Sequence, residues 1–376
     1  MVLKTLVLAG GLGTRLRPLS CTRSKLLFPV ANRPILDLIL EKLAASGVDE
    51  AVLAVNFMAD EIERSFGGSK YGMKLQYSPD ETLGSESSRS SKGALGTGGP
   101  VKQAETLLGG KDDFLVLNGD ILTNTDYREI VQQHRRSEGI ATIALFPVRT
   151  PRRYGVVELA DRNRISRFVE KPSEEPPSNL VNAGIYVFTP DIFDYIPSGR
   201  ACSIEREVFP KLVKERELFG CEIRGLWIDV GKPADYIEAN RLWLEAGMER
   251  DPISSQTHIG NHAELKQAVA IAEHVTIEDE AIVGPNVALG KDVSIGTKVR
   301  VRNTIIFPHT TVSDYSTVEG ALIGESVSIG KQVSIGKGCL IGDNVSIESG
   351  LTLAQNVKVW PSKRVTKSVF TSRSIT

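Results

Sequence analysis

The sequence predicts an α/β domain with a doubly wound, mixed sheet, followed by a parallel β-helix built from hexapeptide repeats. Two observations carry this. From Leu3 to about Phe146 short apolar runs alternate with amphipathic stretches, the order expected of strands and crossover helices. From about Leu265 onward aliphatic residues recur at every sixth position: Ile271, Ile277, Val283, Leu289, Ile295 and Val301, then Ile323, Ile329, Ile335, Ile341, Ile347, Leu353 and Val359. A step of six fits neither the helical period of about 3.6 nor a plain alternating strand. It suits coils whose short strands each send one aliphatic side chain into a narrow core, with small residues and Gly at the corners.

In chain order, Leu3–Leu8 reads as a buried strand. Ile35, Leu36, Ile39, Leu40 and Leu43 form a helical stripe that starts beside Pro34 and stops at Gly47. Ala51–Val55 follows as a strand, Asp60–Phe66 as a short helix, Phe114–Leu117 as a strand, Asp126–Arg136 as a helix and Ile140–Phe146 as a strand. Tyr154–Pro172 reads as a hairpin turning at Asp161, Arg162 and Asn163, and Ala234–Ala246 as a helix. Within the repeat, Ile306, Val312 and Val318 keep the step of six but are offset by one residue at each end, which predicts a slipped corner. The expected division is a first domain over 1–246, a linker over 247–262 and the repeat over 263–376.

The chain has 376 residues, 24% charged and 41% hydrophobic, enough for two cores. No run approaches the roughly 18 apolar residues of a membrane span. The start MVLKTLVLAGG lacks the long apolar run and cleavage site of a signal peptide, so a soluble, cytoplasmic protein is expected. Lys and Arg number 45 against 46 Asp and Glu, a formal net charge of -1, which leaves no global field for nucleic acid or an anionic membrane. The four cysteines form no CxxC pair, so neither a zinc knuckle nor a disulfide scaffold is indicated.

Directly after the first strand comes Ala9-Gly10-Gly11-Leu12-Gly13-Thr14-Arg15, with Lys25 ten residues beyond Arg15. Glycines let the backbone approach a bound group, and successive exposed N–H groups make an anion nest. The loop is neither common phosphate type. Leu16 stands where a dinucleotide fingerprint needs its last Gly, and the Gly-Lys-Ser/Thr of a Walker A loop is absent. What remains is a glycine loop with two cations, suited to a polyphosphate whose charge shifts during reaction. Glycines alone would serve equally for a tight strand-to-helix turn.

GGLGTRLRPLS followed by SKLLFPVANRPIL resembles the signature of the sugar nucleotidyltransferases, and the likeness extends along most of the chain. The resemblance implies a Rossmann-like catalytic domain. It also implies transfer of a nucleotidyl group from a nucleoside triphosphate to a sugar 1-phosphate, with release of pyrophosphate. It gives Ala9, Gly10, Gly11, Gly13 and Thr14, together with Gly96 and Thr97 of an LGTGG segment, to the nucleotide. Asp120, at the exit of the apolar run Phe114–Leu117, and Asp229, after Gly225-Leu226-Trp227-Ile228, match the metal-binding aspartates, with Mg2+ as the cofactor. Taken alone, either aspartate would pass for a cap or turn residue. Positions matching Gly155, Glu170, Lys171, Asn182 and Gly184 line the sugar-phosphate pocket, although Glu170-Lys171 by itself reads as a solvated ion pair.

The catalytic set implied is Arg15, Lys25, Asp120 and Asp229. No Ser-His-Asp or Cys-His arrangement is needed, because the attacking phosphate is already ionised at neutral pH. The runs Asn182–Phe188, Ser203–Pro210 and Trp227–Pro233 are similar to those of mannose-1-phosphate guanylyltransferases with a C-terminal β-helix. Asn118-Gly119-Asp120 is shared with glucose-1-phosphate thymidylyl- and uridylyltransferases. Resemblance to left-handed hexapeptide β-helices implies roughly five coils, and the stacked faces suggest assembly into a homo-oligomer.

Three alternatives stay open at this point. The Ser-rich stretch 85–93 reads either as a lid over the nucleotide or as a tolerated insertion. An acyltransferase activity in the repeat would call on His274 or His309 as a base. A non-catalytic sensor of nucleotide sugars would keep the fold without turnover.

Overall fold

The computed structural model describes residues 3–56, 58–79, 96–249 and 252–376. The Ser-rich stretch 85–93 lies outside them. The chain forms two compact units, one of Met1–Gly11 and Leu36–Trp227, the other of Leu12–Ile35 and Ile228–Thr376. Among the described residues no helix is long and apolar enough to cross a membrane.

In the first unit β1 (Leu3–Leu8), β2 (Val48–Val55), β3 (Met73–Pro79) and β4 (Phe114–Asn118) form a parallel core ordered β4-β1-β2-β3. Leu6, Val7, Val52, Leu53, Leu115 and Val116 are completely buried, on both faces of the sheet, which is why these strands read as continuous apolar runs. The helices α1 (Ile35–Ala45), α2 (Ala59–Phe66) and α3 (Gly98–Gln103) fall between these strands in sequence. After a single turn at Glu105–Leu108, α4 (Tyr127–Ser137) is capped by Asp126, whose Oδ1 accepts from Arg128 N at 3.0 Å.

The rest of the sheet is largely antiparallel. It comprises β5 (Ala141–Pro147), β6 (Gly155–Leu159), β7 (Ile165–Glu170) and β8 (Leu180–Phe188), and β8 pairs antiparallel with β4, β5 and β6. The expected hairpin is β6 and β7, turning through Asp161–Asn163 with Arg162 and Asn163 at φ 58° and 61°. Then α5 (Phe209–Glu215) leads to β9 (Leu218–Glu222), parallel to β5. The mixed doubly wound sheet is therefore parallel beside β1 and mostly antiparallel beyond β4.

The second unit begins with segment 12–35, which has three short 3-10 turns and a two-residue hairpin. It continues in α6 (Pro233–Glu245) and ends in a left-handed parallel β-helix of three faces holding seven, six and seven strands. The first face runs from His258–Ile259 to Arg364–Val365, the second from Glu264–Leu265 to Thr352–Leu353, and the third from Val269–Ile271 to Ser374–Ile375. That exceeds the roughly five coils the repeat implied. At the ends the beat weakens: Val365 is still buried, but Ile259 is exposed and Ile375 only half-buried.

The residues of the six-residue beat point inward and form one core. A second inward position lies two residues earlier, as at Val275, Val293, Val327 and Val345. Where Thr310 and Ser316 take that place, their hydroxyls donate to Gly324 O and Gly330 O, both at 2.9 Å, so no buried hydroxyl is wasted there. From His262 to Ser362 the corners carry a residue at positive φ, for example Asp292, Lys298, His309 and Tyr315. At Asn303 and Gly320 that residue comes one position early, and both short corners join the second face to the third. They are the slipped corners behind the offset run.

Ile329 is completely buried in this core. Ile329→Ala is expected to cost about 2–5 kcal/mol. The check is the urea midpoint of the β-helix transition, and a loss under about 1 kcal/mol would mean that the coil closes around the deleted methyls.

Candidate active site

In the first unit, the parallel pairing of β1 with β4 puts Leu8 opposite Asn118. Ala9 N donates to Ala54 O at 2.9 Å, and Gly119 N donates to Leu8 O at 3.0 Å. Ala9-Gly10-Gly11 and Asn118-Gly119-Asp120 thus leave the sheet side by side at the carboxyl ends of parallel strands, where open α/β sheets bind ligands. Gly11 is exposed, and a Cβ there would meet nothing within 4 Å, so its backbone faces open space. Asp120 is half-buried.

Strand β8 comes up against this cluster through a bulge between Asn182 and Tyr186. Gly184 sits there at φ 72°, and a Cβ on it would lie 2.6 Å from Asn118 Nδ2, a close approach open only to glycine. Asn182 shapes the bulge, accepting from Gly184 N at 2.9 Å and donating to the Tyr186 hydroxyl at 3.0 Å. Trp227 Nε1 donates to Ala183 O at 2.9 Å. Burial, followed by the negative charge of Glu205, pushes the Tyr186 hydroxyl well above its usual range, so it remains a neutral donor and acceptor.

Gly155 stands opposite Glu170 in the β6–β7 register, and a Cβ there would come within 2.9 Å of Glu170 Oε2. Lys171 Nζ lies 3.2 Å from Glu170 Oε1; the lysine side chain is 61% exposed and the glutamate 16%, so the cation is the mobile partner. Gly96 and Thr97 pack against Cys202–Glu205. Thr97 Oγ1 donates to Glu205 Oε2 at 2.6 Å and accepts from Ile204 N at 3.0 Å. The Thr97 hydroxyl is thereby engaged inside the protein. Glu205, the anchor of this segment, lies in the run Ser203–Pro210 but was not among the expected site residues.

The second unit holds the cations. Gly13, at φ 57°, has its carbonyl fixed by Ser20 Oγ at 2.7 Å, and the turn Thr14–Leu16 presents Arg15 as an exposed side chain. Lys25 is buried at the start of the third 3-10 turn. Arg15 comes together with Asp229 over Gly231. A Cβ on Gly231 would lie 3.4 Å from both Arg15 Nη1 and Nη2 and 3.2 Å from Asp229 Oδ1. Gly231 was not among the expected site residues. The tighter of its neighbours is Asp229, two residues away, while Arg15 reaches it from more than two hundred residues away in sequence.

Among the described residues no group of three or more His, Cys, Asp or Glu side chains makes a cage for a metal ion. Asp120 in the first unit and Asp229 in the second are each half-buried at the end of a short apolar run, and carboxylate oxygens are the donors that Mg2+ takes, one or two at a time, with phosphates and water completing its shell. His274 and His309 occupy corner positions at φ 58° and 60°, and His309 Nδ1 lies 3.2 Å from Asp292 Oδ2.

Comparisons with known proteins agree with this arrangement. A family model described as nucleotidyl transferase matches residues 4–246, and one described as GMPPB C-terminal domain matches 253–375. Mannose-1-phosphate guanyltransferase 2 of Candida glabrata is 37% identical over 271 residues, covering 69% of this chain and 71% of that protein. The mannose-1-phosphate guanylyltransferase catalytic subunit beta of Xenopus tropicalis is 38% identical over 261 residues, covering 69% of each. Among solved structures, the UDP-glucose pyrophosphorylase of Acinetobacter baumanii is similar in fold, with a TM-score of 0.57 at 20% identity over 65% of this chain and 94% of that one. With a glycine loop beside Asp120 in a doubly wound sheet, and a β-helix behind it in sequence, the chain belongs to the nucleotidyl transferase family of enzymes.

Proposed function

We propose that the protein transfers a guanylyl group from GTP to mannose 1-phosphate, giving GDP-mannose and pyrophosphate. The observation that carries the reaction class is the paired exit of Ala9–Gly11 and Asn118–Asp120 from adjacent parallel strands. The choice of GTP and mannose 1-phosphate is supported by the names of the relatives.

In this reading a phosphate oxygen of the sugar 1-phosphate attacks the α-phosphorus in line, and the bond to the leaving pyrophosphate breaks. The nucleophile arrives ionised, so the protein supplies alignment and charge rather than a base. Arg15 holds the leaving pyrophosphate, and Lys25 faces the phosphates near the reacting centre. The backbone of Ala9–Gly11, exposed at Gly11, follows the triphosphate, and the Gly96–Thr97 turn borders the base. Glu170 accepts sugar hydroxyls while Lys171 swings to the sugar phosphate, and the Asn182–Gly184 bulge closes the pocket against Asn118. Asp120 and Asp229 are the carboxylates that would hold a divalent cation, Mg2+ by donor chemistry. Its contribution is Lewis-acid neutralisation of the phosphate oxygens.

The test is pyrophosphate release with Mg2+ over a matrix of GTP, dTTP, UTP and ATP against mannose, glucose and N-acetylglucosamine 1-phosphates. A dominant cell for GTP with mannose 1-phosphate is expected. Dominance of dTTP or UTP with glucose 1-phosphate would retain the mechanism and overturn the specificity, and silence in every cell would favour a nucleotide-sugar sensor.

A further inference from the structure

The segment that carries Arg15 and Lys25 is a poor scaffold by itself. It contains only three-residue turns and a two-residue hairpin, so it has little internal hydrogen bonding to define its path. Its path is instead set by what it rests on, which is the third face of the β-helix together with α6. That face is unusual. Its outward residues Ala270, Ala288, Ile305, Leu322 and Leu340 are as buried as its inward ones, whereas the first face exposes Ser328 and Ser346 at equivalent positions.

The contacts there are of two kinds. The apolar one is a ring chain: Phe28 packs edge-on against Phe307 at 5.5 Å and against Tyr236 of α6, also at 5.5 Å. Tyr236 also donates its hydroxyl to Pro29 O at 2.5 Å, and Asn240 Oδ1 accepts from Ala31 N at 2.8 Å. The polar one lies between the two cations in sequence. Thr22 Oγ1 donates to Asp343 Oδ2 at 2.7 Å, Arg23 pairs with Glu325, and the Arg23 guanidinium lies 5.0 Å over the Phe307 ring. Asp343 is 6% exposed, and its other oxygen accepts from Glu325 N at 2.7 Å, so one carboxylate bridges two coils and the segment. Burial pushes the Asp343 carboxyl up, partly offset by Thr22 and Arg23.

A buried carboxylate is a poor way to gain stability, since an apolar residue of the same size often does better; what it adds is a unique register. We propose that Asp343 and Glu325 of the β-helix are positioning residues for the cationic segment, acting through Thr22 and Arg23 to hold Arg15 and Lys25 in the geometry that transfer requires. This rests on the nucleotidyl transfer assigned above. It gives the β-helix a part in the chemistry besides any part in assembly.

The test compares the full-length protein with Thr22→Val, Thr22→Ser and Glu325→Gln, after wild-type turnover has been established in the substrate matrix. Two readouts are taken: steady-state kinetics, and amide hydrogen exchange over 12–35 by mass spectrometry. Thr22→Val and Glu325→Gln are expected to lower kcat by about tenfold to a hundredfold with little change in KM. They are also expected to speed exchange across 12–35 while exchange in the β-helix core is unchanged. Thr22→Ser, which keeps the hydroxyl, is expected to restore both readouts. A kcat within about twofold of wild type for both Thr22→Val and Glu325→Gln would overturn the proposal, as would a Thr22→Ser protein as impaired as Thr22→Val. If the wild type transfers no nucleotide, the functional reading fails by itself, and the exchange comparison still decides whether the β-helix holds the segment: unchanged exchange overturns that tie.

Discussion

Asp120→Asn is expected to lower turnover at least about a hundredfold while leaving the thermal midpoint in place, because on the proposed mechanism it would lose a metal–phosphate interaction of several kcal/mol, and each 1.36 kcal/mol is a factor of ten. The substitution keeps the shape of the side chain and removes only the charge. Asp120 is half-buried at the exit of β4, where the Gly119 N to Leu8 O bond already fixes the backbone. The measurement is kcat against Mg2+ concentration, alongside a melting curve. Near-normal turnover at saturating Mg2+ would remove Asp120 from the metal set, and a collapsed melting curve would make it a structural residue.

The second large effect is at Arg15. Arg15→Ala is expected to lower kcat/KM by about a hundredfold to a thousandfold, the scale of losing one preorganised charge contact to a transferring phosphoryl group. Run in reverse, the reaction separates the roles, because KM for pyrophosphate rises while KM for the nucleotide sugar is little changed. If both constants rise together, Arg15 does not hold the leaving group. Gly231→Val offers an independent route to the same loss. Gly231 has ordinary backbone angles, so a side chain there adds no backbone strain, yet a Cβ already stands 3.4 Å from the guanidinium and 3.2 Å from Asp229. A branched side chain displaces one or both, and the expected kinetics follow those of Arg15→Ala with the fold intact.

The architecture was legible wherever a local pattern reports it. The six-residue beat survives in sequence because every inward residue has to be aliphatic, and even the two short corners at Asn303 and Gly320 leave a trace in phase. The end coils leave a weaker trace: Ile259 and Val365 keep the phase, but Ile259 is exposed and Ile375 only partly buried against the core. Strands β1 and β4 could be read as buried runs, but the antiparallel insertion of β8 beside β4 joins residues about seventy apart, and no single stretch encodes it.

The site divides in the same way. The glycine loop, Lys25 and Asp120 are local motifs and were named from sequence. The Thr97–Glu205 bond spans 108 residues and the Thr22–Asp343 bond 321, distances at which one chain carries no visible signal. For the same reason nothing in the sequence announced that Arg15 and Lys25 fold with the β-helix rather than with the strand that precedes them.

A stack of coils unzips from its tips, since each coil is held only by its neighbours and the terminal ones have a neighbour on one side alone. Along the third face, Phe307, Glu325 and Asp343 follow the third, fourth and fifth of seven strands. The anchorage of the cationic segment thus falls in the interior of the stack. Thermal fraying at either tip therefore starts on coils that make none of the Thr22, Arg23 and Phe28 contacts, and the last coil is separated from Asp343 by an intervening strand of the face.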